Sequence, residues 1–377
     1  MKILVCARGY NSYSENKIGD FELDQAKALK NAGCDVRIVS LDLRSPRRRR
    51  PHGAKKFALC GMRCVTVNYY CSILPGSLED KMGRYAAKKA FSIVCKDGWK
   101  PDIVHAHFTE IASAVCDEAL MIGAKLVITE HSSTMNCTSP KETSLRQALY
   151  SYPRADKLIS VSSSLARNIK KATGISSDVI GNIVDLSVFE ELSEGSSDGR
   201  FRFVSCGNLR EIKGFDILLK AFSKLDKNAL LTVFGDGELE APLKALCNKL
   251  GISDRVTFKG RQPRTALASE YARSDAFVLA SRSETFGVAF IEAMSVGLPV
   301  AATKCGGPES FVCDLNGRLA EVNSVESLAQ QMTYIMQNKN SFDGKKIKEF
   351  VVSRYSPSNV ADQLINTYTA LLKDIGS

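Results

Sequence analysis

Residues 281–299 read SRSETFGVAFIEAMSVGLP, and they directly follow the short apolar run 276–280. The apolar run predicts a strand, and the segment after it predicts a helix that begins near Gly287. Glu284 would then lie in the loop at the carboxyl end of the strand, and Glu292, eight residues later, on the helix. Free amides at the start of such a helix favour a phosphate group. This stretch therefore predicts a βα unit whose strand end can bind an anionic ligand.

The same alternation of short β-branched runs and amphipathic segments extends along the whole chain, as is typical of βα units stacked into parallel sheets. In the first half, strands are predicted at residues 2–7, 35–41, 63–69, 102–107, 125–129, 157–161 and 178–183. In the second half, they are predicted at residues 201–206, 229–234, 255–258, 276–280 and 299–302. The fold class is therefore α/β, with two Rossmann-like doubly wound parallel-sheet domains that face each other across a cleft.

A polar, Gly/Ser-rich segment divides the two strand sets. Residues 190–200 read EELSEGSSDGR and lack apolar periodicity, which predicts an interdomain linker. The predicted domains are therefore residues 1–189 and 201–356, and a chain of 377 residues is long enough for two cores. Beyond residue 324 the pattern is helical, and the last helix, residues 357–377, is expected to pack back on the N-terminal domain.

Composition indicates a globular protein with a basic surface. The hydrophobic fraction is 44% and mean hydropathy is −0.10, and no apolar run reaches the ~18 residues of a membrane span. The apolar run at the N-terminus is too short for a signal peptide, so a cytoplasmic location is expected. The twelve cysteines occur singly, without a CxxC pair, so structural zinc is not predicted. A net charge of +10 favours anionic partners without choosing among them.

The opening stretch resembles the E-x7-E signature of the family-4 retaining glycosyltransferases, which have the GT-B fold, and the similarity extends over nearly the whole chain. The resemblance implies that Glu292 binds the ribose hydroxyls of a nucleotide. It also places Glu284, with the backbone of Phe286, Gly287 and Val288, at the transferred sugar and the pyrophosphate. The alternative is that Glu284 is a solvated loop residue and Glu292 a residue of the helix surface. The flanking TFG and EAMSVGLPV match the family signature and disfavour this alternative.

A second segment resembles the G-R-L-x-x-x-K-G loop of the same family. Residues 205–215 read SCGNLREIKGF, and in the family an arginine and a lysine of this loop neutralise the leaving diphosphate. Lys213 matches the lysine. The arginine position is occupied by Asn208, so either Arg210 substitutes for it or one positive charge is missing.

Two further segments resemble parts of the family's nucleotide site. Residues 234–238, FGDGE, end a predicted strand like the family's GDG turn, and they place Gly235 beside the nucleotide. Residues 255–261, RVTFKGR, form the next strand and loop and place Arg261 close to the base. Backbone contacts are expected to dominate here.

In the first half, residues 18–29, IGDFELDQAKAL, resemble the loop and helix that present backbone amides to the donor phosphate and the acceptor, with Gly19 as the candidate. His131 corresponds to the family's histidine that contacts the donor sugar near its 6-position; a structural histidine bonded to a loop carbonyl is the alternative. His105 and His107 alternate at a predicted strand end, and no third ligand lies within sequence reach, so His107 is expected to line the cleft rather than bind metal.

Metal independence is expected because the sequence contains no D-x-D motif that could hold a divalent cation at the diphosphate. Positioning and a preorganised diphosphate site would then supply most of the rate, with no cofactor. The resemblance implies retention at the anomeric carbon by front-face departure and attack.

The densest positive charge lies in residues 44–56, RSPRRRRPHGAKK, where two prolines exclude a regular helix and predict a loop. The segment contains seven arginines and lysines and one histidine. It is either a solvated excursion or an anchor for anionic lipid or a phosphate-bearing lipid acceptor. The predicted membrane-contacting residues are Arg47, Arg48, Arg49 and Arg50. Aromatic residues do not alternate with these charges, so nucleic acid is not expected.

Taken together, these features predict transfer of a hexose or N-acetylhexosamine from a UDP- or GDP-sugar to a glycan or lipid-linked acceptor, in cell-surface polysaccharide or glycolipid synthesis. A cytoplasmic enzyme peripheral to the inner face of the membrane would fit. The alternatives are a nucleotide-sugar epimerase or phosphorylase of the same fold, or a catalytically inactive module that binds lipid or nucleic acid.

Overall fold

The computed structural model describes residues 1–9, 20–43, 52–69, 76–137, 139–184, 187–189 and 199–373. The chain divides into two compact units. The first contains Met1–Ile183 and Pro357–Ser377, and the second contains Val184–Ser356. In the ranges given above, no helix combines the length and the apolar composition that a membrane crossing requires.

The first unit is built on an eight-stranded sheet in the order β3-β4-β2-β1-β5-β6-β7-β8. The strands are β1 Lys2–Arg8, β2 Asp35–Asp42, β3 Gly53–Leu59, β4 Met62–Asn68, β5 Ile103–His107, β6 Lys125–Glu130, β7 Lys157–Ser160 and β8 Asp178–Val179. All neighbouring pairs are parallel except β3 and β4, which are antiparallel. Because the chain moves outward from β1 through β2 and then returns to β5 on the other side of β1, the strand order reverses between β1 and β5. Open α/β sheets bind ligands at such a switch point.

Helices cover this sheet and close its core. They are α1 Asp20–Asn31, α2 Gly76–Val94, α3 Thr109–Met121, α4 Glu142–Ser151, α5 Ser163–Thr173 and the last helix of the chain, α12 Pro357–Lys373. Helix α12 packs against α1, and its residues Val360, Leu364 and Tyr368 are buried in one cluster with Ile3 and Val5 of the central strand. The predicted C-terminal helix thus belongs to the first unit, because its apolar stripe completes that unit's core.

The second unit has a six-stranded, all-parallel sheet in the order β11-β10-β9-β12-β13-β14. The strands are β9 Phe201–Cys206, β10 Ala229–Phe234, β11 Val256–Gly260, β12 Ala276–Leu279, β13 Val300–Thr303 and β14 Gly317–Ala320. The helices are α6 Phe215–Phe222, α7 Glu240–Leu250, α8 Arg264–Ala272, α9 Val288–Ser295, α10 Val325–Gln337 and α11 Gly344–Tyr355. Here the strand order reverses between β9 and β12, which defines a second switch point.

The predicted fold class of two α/β domains is confirmed, with two local differences in the first sheet. The strand predicted at residues 178–183 is only β8, Asp178–Val179. The prediction of a loop over residues 44–56 is wrong at its end, because Lys55 and Lys56 lie within strand β3. Charged residues on an exposed edge strand protect it from pairing with other chains, and they also hide its apolar alternation. The second unit begins at Val184 rather than at the predicted residue 201. Residues 190–198 of the predicted linker lie outside the described residues.

Candidate functional site

The switch point of the second sheet brings together a lysine and a glutamate that are distant in sequence. Lys213 lies in the loop after β9, Glu284 lies in the loop after β12, and Lys213 Nζ is 2.5 Å from Glu284 Oε1. Ser281 Oγ donates to the same oxygen at 2.8 Å. The backbone of Glu284 is fixed as well, because its N–H donates to the carbonyl of Cys305 at 3.0 Å and its carbonyl accepts from the N–H of Gly307 at 2.8 Å. The ammonium group of Lys213 and the carboxylate of Glu284 are therefore held side by side at the carboxyl edge of the second sheet.

The turn into helix α9 requires a glycine. Gly287 has a φ of 99° and is the residue that precedes the helix, a backbone conformation that L side chains rarely adopt. Phe286 is buried against Phe311 and Tyr355, with ring centroids 6.0 and 5.4 Å away, so only its backbone can serve a ligand. Val288 is the first helical residue, and the N–H groups of a first turn lack intrahelical partners. This geometry suits the predicted backbone contact of residues 286–288 with a phosphate.

Glu292 is buried on α9 and pairs with an arginine that the sequence did not single out. Arg264 donates from Nη2 to Glu292 Oε1 at 2.6 Å, while Arg261, three residues earlier, is exposed. Burial raises the pKa of Glu292, and the neighbouring Arg264 opposes that shift. The guanidinium of Arg264 also lies 5.7 Å from the ring centre of Phe189. The available signal was the second arginine of RQPR, at the start of α8, which places a cation at the carboxyl end of β11.

The remaining candidates of this unit surround the same edge. Asn208 and Arg210 are exposed in the loop that carries Lys213. Gly235 follows β10 with a φ of 128°, and a Cβ there would lie 1.9 Å from the carbonyl oxygen of Gly207. Only glycine lets the ends of β9 and β10 approach this closely. The loop conformation therefore depends on Gly235, whatever Gly235 contacts in a ligand.

In the first unit, His131 is held from both sides at the end of β6. The buried carboxylate of Glu130 accepts hydrogen bonds from the backbone N–H of His131 at 2.9 Å and of Ser132 at 2.7 Å. The same carboxylate accepts from Tyr152 Oη at 2.8 Å. His131 Nε2 lies 2.9 Å from His107 Nδ1. Glu130 and His107 therefore fix the backbone and the ring of His131.

His107 belongs to a column of imidazoles that the sequence did not reveal. It is fully buried and stacks on His105 with ring centroids 4.4 Å apart, so it lies beside His131 rather than on an exposed lining. His105 is bonded at both nitrogens, to Thr129 Oγ1 at 2.7 Å and to Tyr368 Oη on α12 at 2.7 Å. The missing signal is the partner on α12, which is distant in sequence.

Burial sets the charge of this column. Desolvation lowers the pKa of His105 to about 3 and that of His131 to about 3, and it holds the pKa of His107 well below its ordinary value. Nearby, the Arg8 guanidinium lies 3.2 Å from the ring centre of Phe108. All three imidazoles are therefore neutral at physiological pH, and His131 can act as a hydrogen-bonding group but not as a cation.

Five predicted site residues cannot be placed. Gly19 and the arginines Arg47, Arg48, Arg49 and Arg50 lie outside the described residues. Among the residues that are described, no three His, Cys, Asp or Glu side chains form a group that could hold a metal ion.

The chain matches two family models that together extend over most of its length. Residues 23–188 match the Glycosyltransferase Family 4 model, and residues 189–368 match the Glycosyl transferases group 1 model. The chain therefore belongs to the family-4, group 1 glycosyltransferases of GT-B type.

Individual relatives are distant. The chain is 26% identical over 291 residues to the N-acetyl-alpha-D-glucosaminyl L-malate synthase of Bacillus anthracis, covering 72% of this chain and 76% of that protein. It is 30% identical to the D-inositol 3-phosphate glycosyltransferase of Mycolicibacterium smegmatis over 52% of this chain, which spans about half (48%) of that relative. Among solved structures, Anabaena Alr3699/HepE in complex with UDP and glucose has a TM-score of 0.71 at 20% identity, covering 98% of this chain and all (100%) of that one. This last likeness shows the fold alone.

Proposed function

We propose that the protein is a retaining glycosyltransferase that moves a hexose or N-acetylhexosamine from a UDP- or GDP-sugar to a glycan or lipid-linked acceptor. The observation that carries the proposal is the contact between Lys213 and Glu284 at the switch point of the second sheet. Family membership supplies the class of reaction, and the fold neighbour that holds UDP and glucose supports a nucleotide-sugar donor. Two relatives are named for L-malate and inositol phosphate, which are anionic, and this fits the net charge of +10.

In this proposal Lys213 stabilises the leaving nucleoside diphosphate. Negative charge develops on the diphosphate oxygens as the bond to the sugar breaks, and a cation already held in place stabilises that charge without reorganisation. Glu284, which also accepts a hydrogen bond from Ser281, holds the ammonium group before the donor arrives. When the diphosphate engages Lys213, Glu284 becomes available to a sugar hydroxyl. The amides at residues 286–288 complete the anion site.

Glu292 is proposed to bind the ribose hydroxyls. A hydroxyl donates well to a charged carboxylate, and Arg264 helps to keep this buried carboxylate ionised against the cost of desolvation. Glu292 therefore combines the burial that excludes water with the charge that strengthens the bond.

His131 is proposed to donate to or accept from a hydroxyl of the donor sugar as a neutral imidazole. We propose no covalent nucleophile, no metal and no cofactor; departure and attack take place on the same face of the sugar. A cytoplasmic, membrane-peripheral enzyme of surface polysaccharide or glycolipid synthesis fits this chemistry. Gly19 and the four arginines 47–50 keep their predicted roles at the donor phosphate and at an anionic membrane.

Substitution of the two glutamates tests the site assignment, because one variant should lose nucleoside diphosphate binding and the other should lose turnover. Glu292→Gln keeps the side-chain shape but loses the charge, so affinity for the free nucleoside diphosphate should fall about tenfold or more. Glu284→Gln should leave that affinity within about threefold, because its proposed partner is the sugar, and should lower turnover by misplacing the anomeric carbon. Calorimetric titration with UDP and GDP, and initial rates of transfer, measure the two effects. Equal weakening of diphosphate binding by both changes, or no effect of either, would contradict the assignment.

Transfer is expected to survive excess EDTA, because Lys213 and the amides at the start of α9 supply the charge that a divalent cation would otherwise provide. Rates with and without chelator measure this. Loss of turnover in EDTA with recovery in Mn²⁺ would overturn the electrostatic role given to Lys213.

The rival enzyme of the same fold is a nucleotide-sugar epimerase or phosphorylase. Hydrolysis of the nucleotide sugar in the absence of any acceptor would favour the epimerase, whereas acceptor-dependent release of the diphosphate favours transfer. An inactive binding module would show no preference among nucleoside diphosphates.

A further inference from the structure

A cavity of about 470 Å³ lies in the first unit, near the edge strand β3. Its walls come from the edge strand β3, from its neighbour β4, from Arg37 of β2 and from the end of α2 with the residues that follow it. Arg37 aligns with Leu4 of β1, four residues before the end of that strand at Arg8. At about 3.3 Å per residue, the Arg37 end of the cavity lies about 13 Å below the carboxyl edge of the sheet, where His107 and His131 lie. It is therefore a separate feature.

The rim of the cavity is cationic. It contains Arg37, Lys56, Arg63 and Lys96 against one acid, Asp97, which gives a net lining charge of 4 − 1 = +3. The two guanidiniums share Asp97, with Arg37 bidentate at 2.8 Å and Arg63 at 2.6 Å. The hydrogen bonds from Arg37 hold the pKa of Asp97 well below its usual range, so this carboxylate stays ionised. In the described part of the chain, neither Lys56 nor Lys96 forms an ion pair, so both can meet an external anion.

The interior of the cavity is apolar. Val65 of β4 with Ile93 and Val94 of α2 form its walls, and Ile93 is only half-buried. A cationic rim above an apolar wall matches an amphiphile that has an anionic head and a hydrocarbon tail. A water-soluble phosphate ester would satisfy the rim but would leave the apolar wall in contact with polar groups, which is unfavourable.

We propose that this cavity binds an acidic membrane phospholipid, with its phosphate at Lys56 and Lys96 and its first acyl carbons against Val65 and Ile93. The site does not depend on the transfer reaction, and it differs from the anchor predicted for residues 47–50. Each basic residue near an acidic membrane surface contributes a factor of about five in binding. The two lysines together should therefore contribute more than tenfold.

The test compares two double variants that remove the same charge from opposite edges of the sheet. The rim variant, Lys56→Gln with Lys96→Gln, removes the two lysines of the rim. The α5 variant, Lys170→Gln with Lys171→Gln, removes two exposed lysines from the last turn of α5, which packs beside β7 and β8. Co-sedimentation with vesicles of phosphatidylglycerol and phosphatidylcholine measures affinity. The rim variant should bind at least tenfold more weakly than the parent, and the α5 variant within about threefold of it. Equal losses in both would show diffuse charge attraction and overturn the site.

Ile93→Trp fills the cavity without changing the charge and should also weaken vesicle binding severalfold. Unchanged binding in a folded Ile93→Trp protein would show that the cavity is not used. Water-soluble dihexanoyl-phosphatidylglycerol should displace the vesicles, whereas dihexanoyl-phosphatidylcholine and inorganic phosphate should not. Displacement by inorganic phosphate at the same concentration would show that the cavity binds a soluble anion and would overturn the lipid proposal. The affinity for nucleoside diphosphate should be unchanged in every variant. If the parent protein bound no nucleoside diphosphate, that result would count against the proposed function and not against the lipid site.

Discussion

Replacing Lys213 by methionine is expected to lower the turnover of sugar transfer by about 100- to 1000-fold, the usual effect of removing one preorganised donor from a developing negative charge. Methionine keeps the apolar part of the side chain and removes the ammonium group that Glu284 holds at the switch point. The free energy lost belongs to the transition state, where the diphosphate becomes a leaving group. Turnover should therefore fall much more than the affinity for the intact donor.

Lys220→Met is the matched control, because Lys220 is an exposed lysine of α6, only seven residues further along. Its turnover should stay within about twofold of the parent. Thermal unfolding of both variants tests for misfolding. A Lys213→Met enzyme that folds and retains more than a third of its turnover would show that the diphosphate is stabilised elsewhere, and Arg210 would then be the residue to examine.

Much of this site could be predicted from the sequence because it lies where regular elements end. A strand, a glycine and a helix place Glu284 and Glu292 relative to each other through local chain geometry alone. The contact of Lys213 with Glu284 depends instead on which strands are neighbours. That order is set by how the sheet forms, and the sequence pattern gives strands without giving their order.

The parts that could not be predicted are side-chain partnerships across distant elements. The sequence does not single out Arg264, because an arginine at a helix start looks like a solvated residue until the position of α9 is known. Tyr368 could be assigned to the apolar stripe of α12, but its hydroxyl bond to His105 joins residues 263 positions apart. The sequence pattern does not predict strand β3, because its lysines break the alternation of apolar and polar residues. In each case the deciding interaction is tertiary, whereas periodicity reports only local structure.

Acidification from pH 7 to pH 5 is expected to destabilise the first unit through its buried histidines. Burial lowers the pKa of His105 from 6.5 to about 3. Between these values the unfolded chain binds a proton that the folded chain does not, so the stabilisation is present above the unfolded pKa and is lost as pH falls. At pH 5 His105 alone should cost about 2 kcal/mol of the free energy of unfolding, since one pKa unit is worth about 1.36 kcal/mol. His107 and His131 act in the same direction.

Trp99, the one tryptophan of the chain, lies buried in this unit and reports its unfolding in urea. His105→Gln keeps a hydrogen-bonding side chain but cannot bind the proton. Between pH 7 and pH 5 it should lose about 2 kcal/mol less stability than the parent. The exposed His52→Gln should match the parent's pH dependence. Buried Glu22 has a raised pKa and opposes the histidines, but it is present in every protein compared and cancels. If His105→Gln and the parent lost stability equally, the column of imidazoles would not be neutral. The proposal that a neutral His131 contacts the sugar would then be wrong.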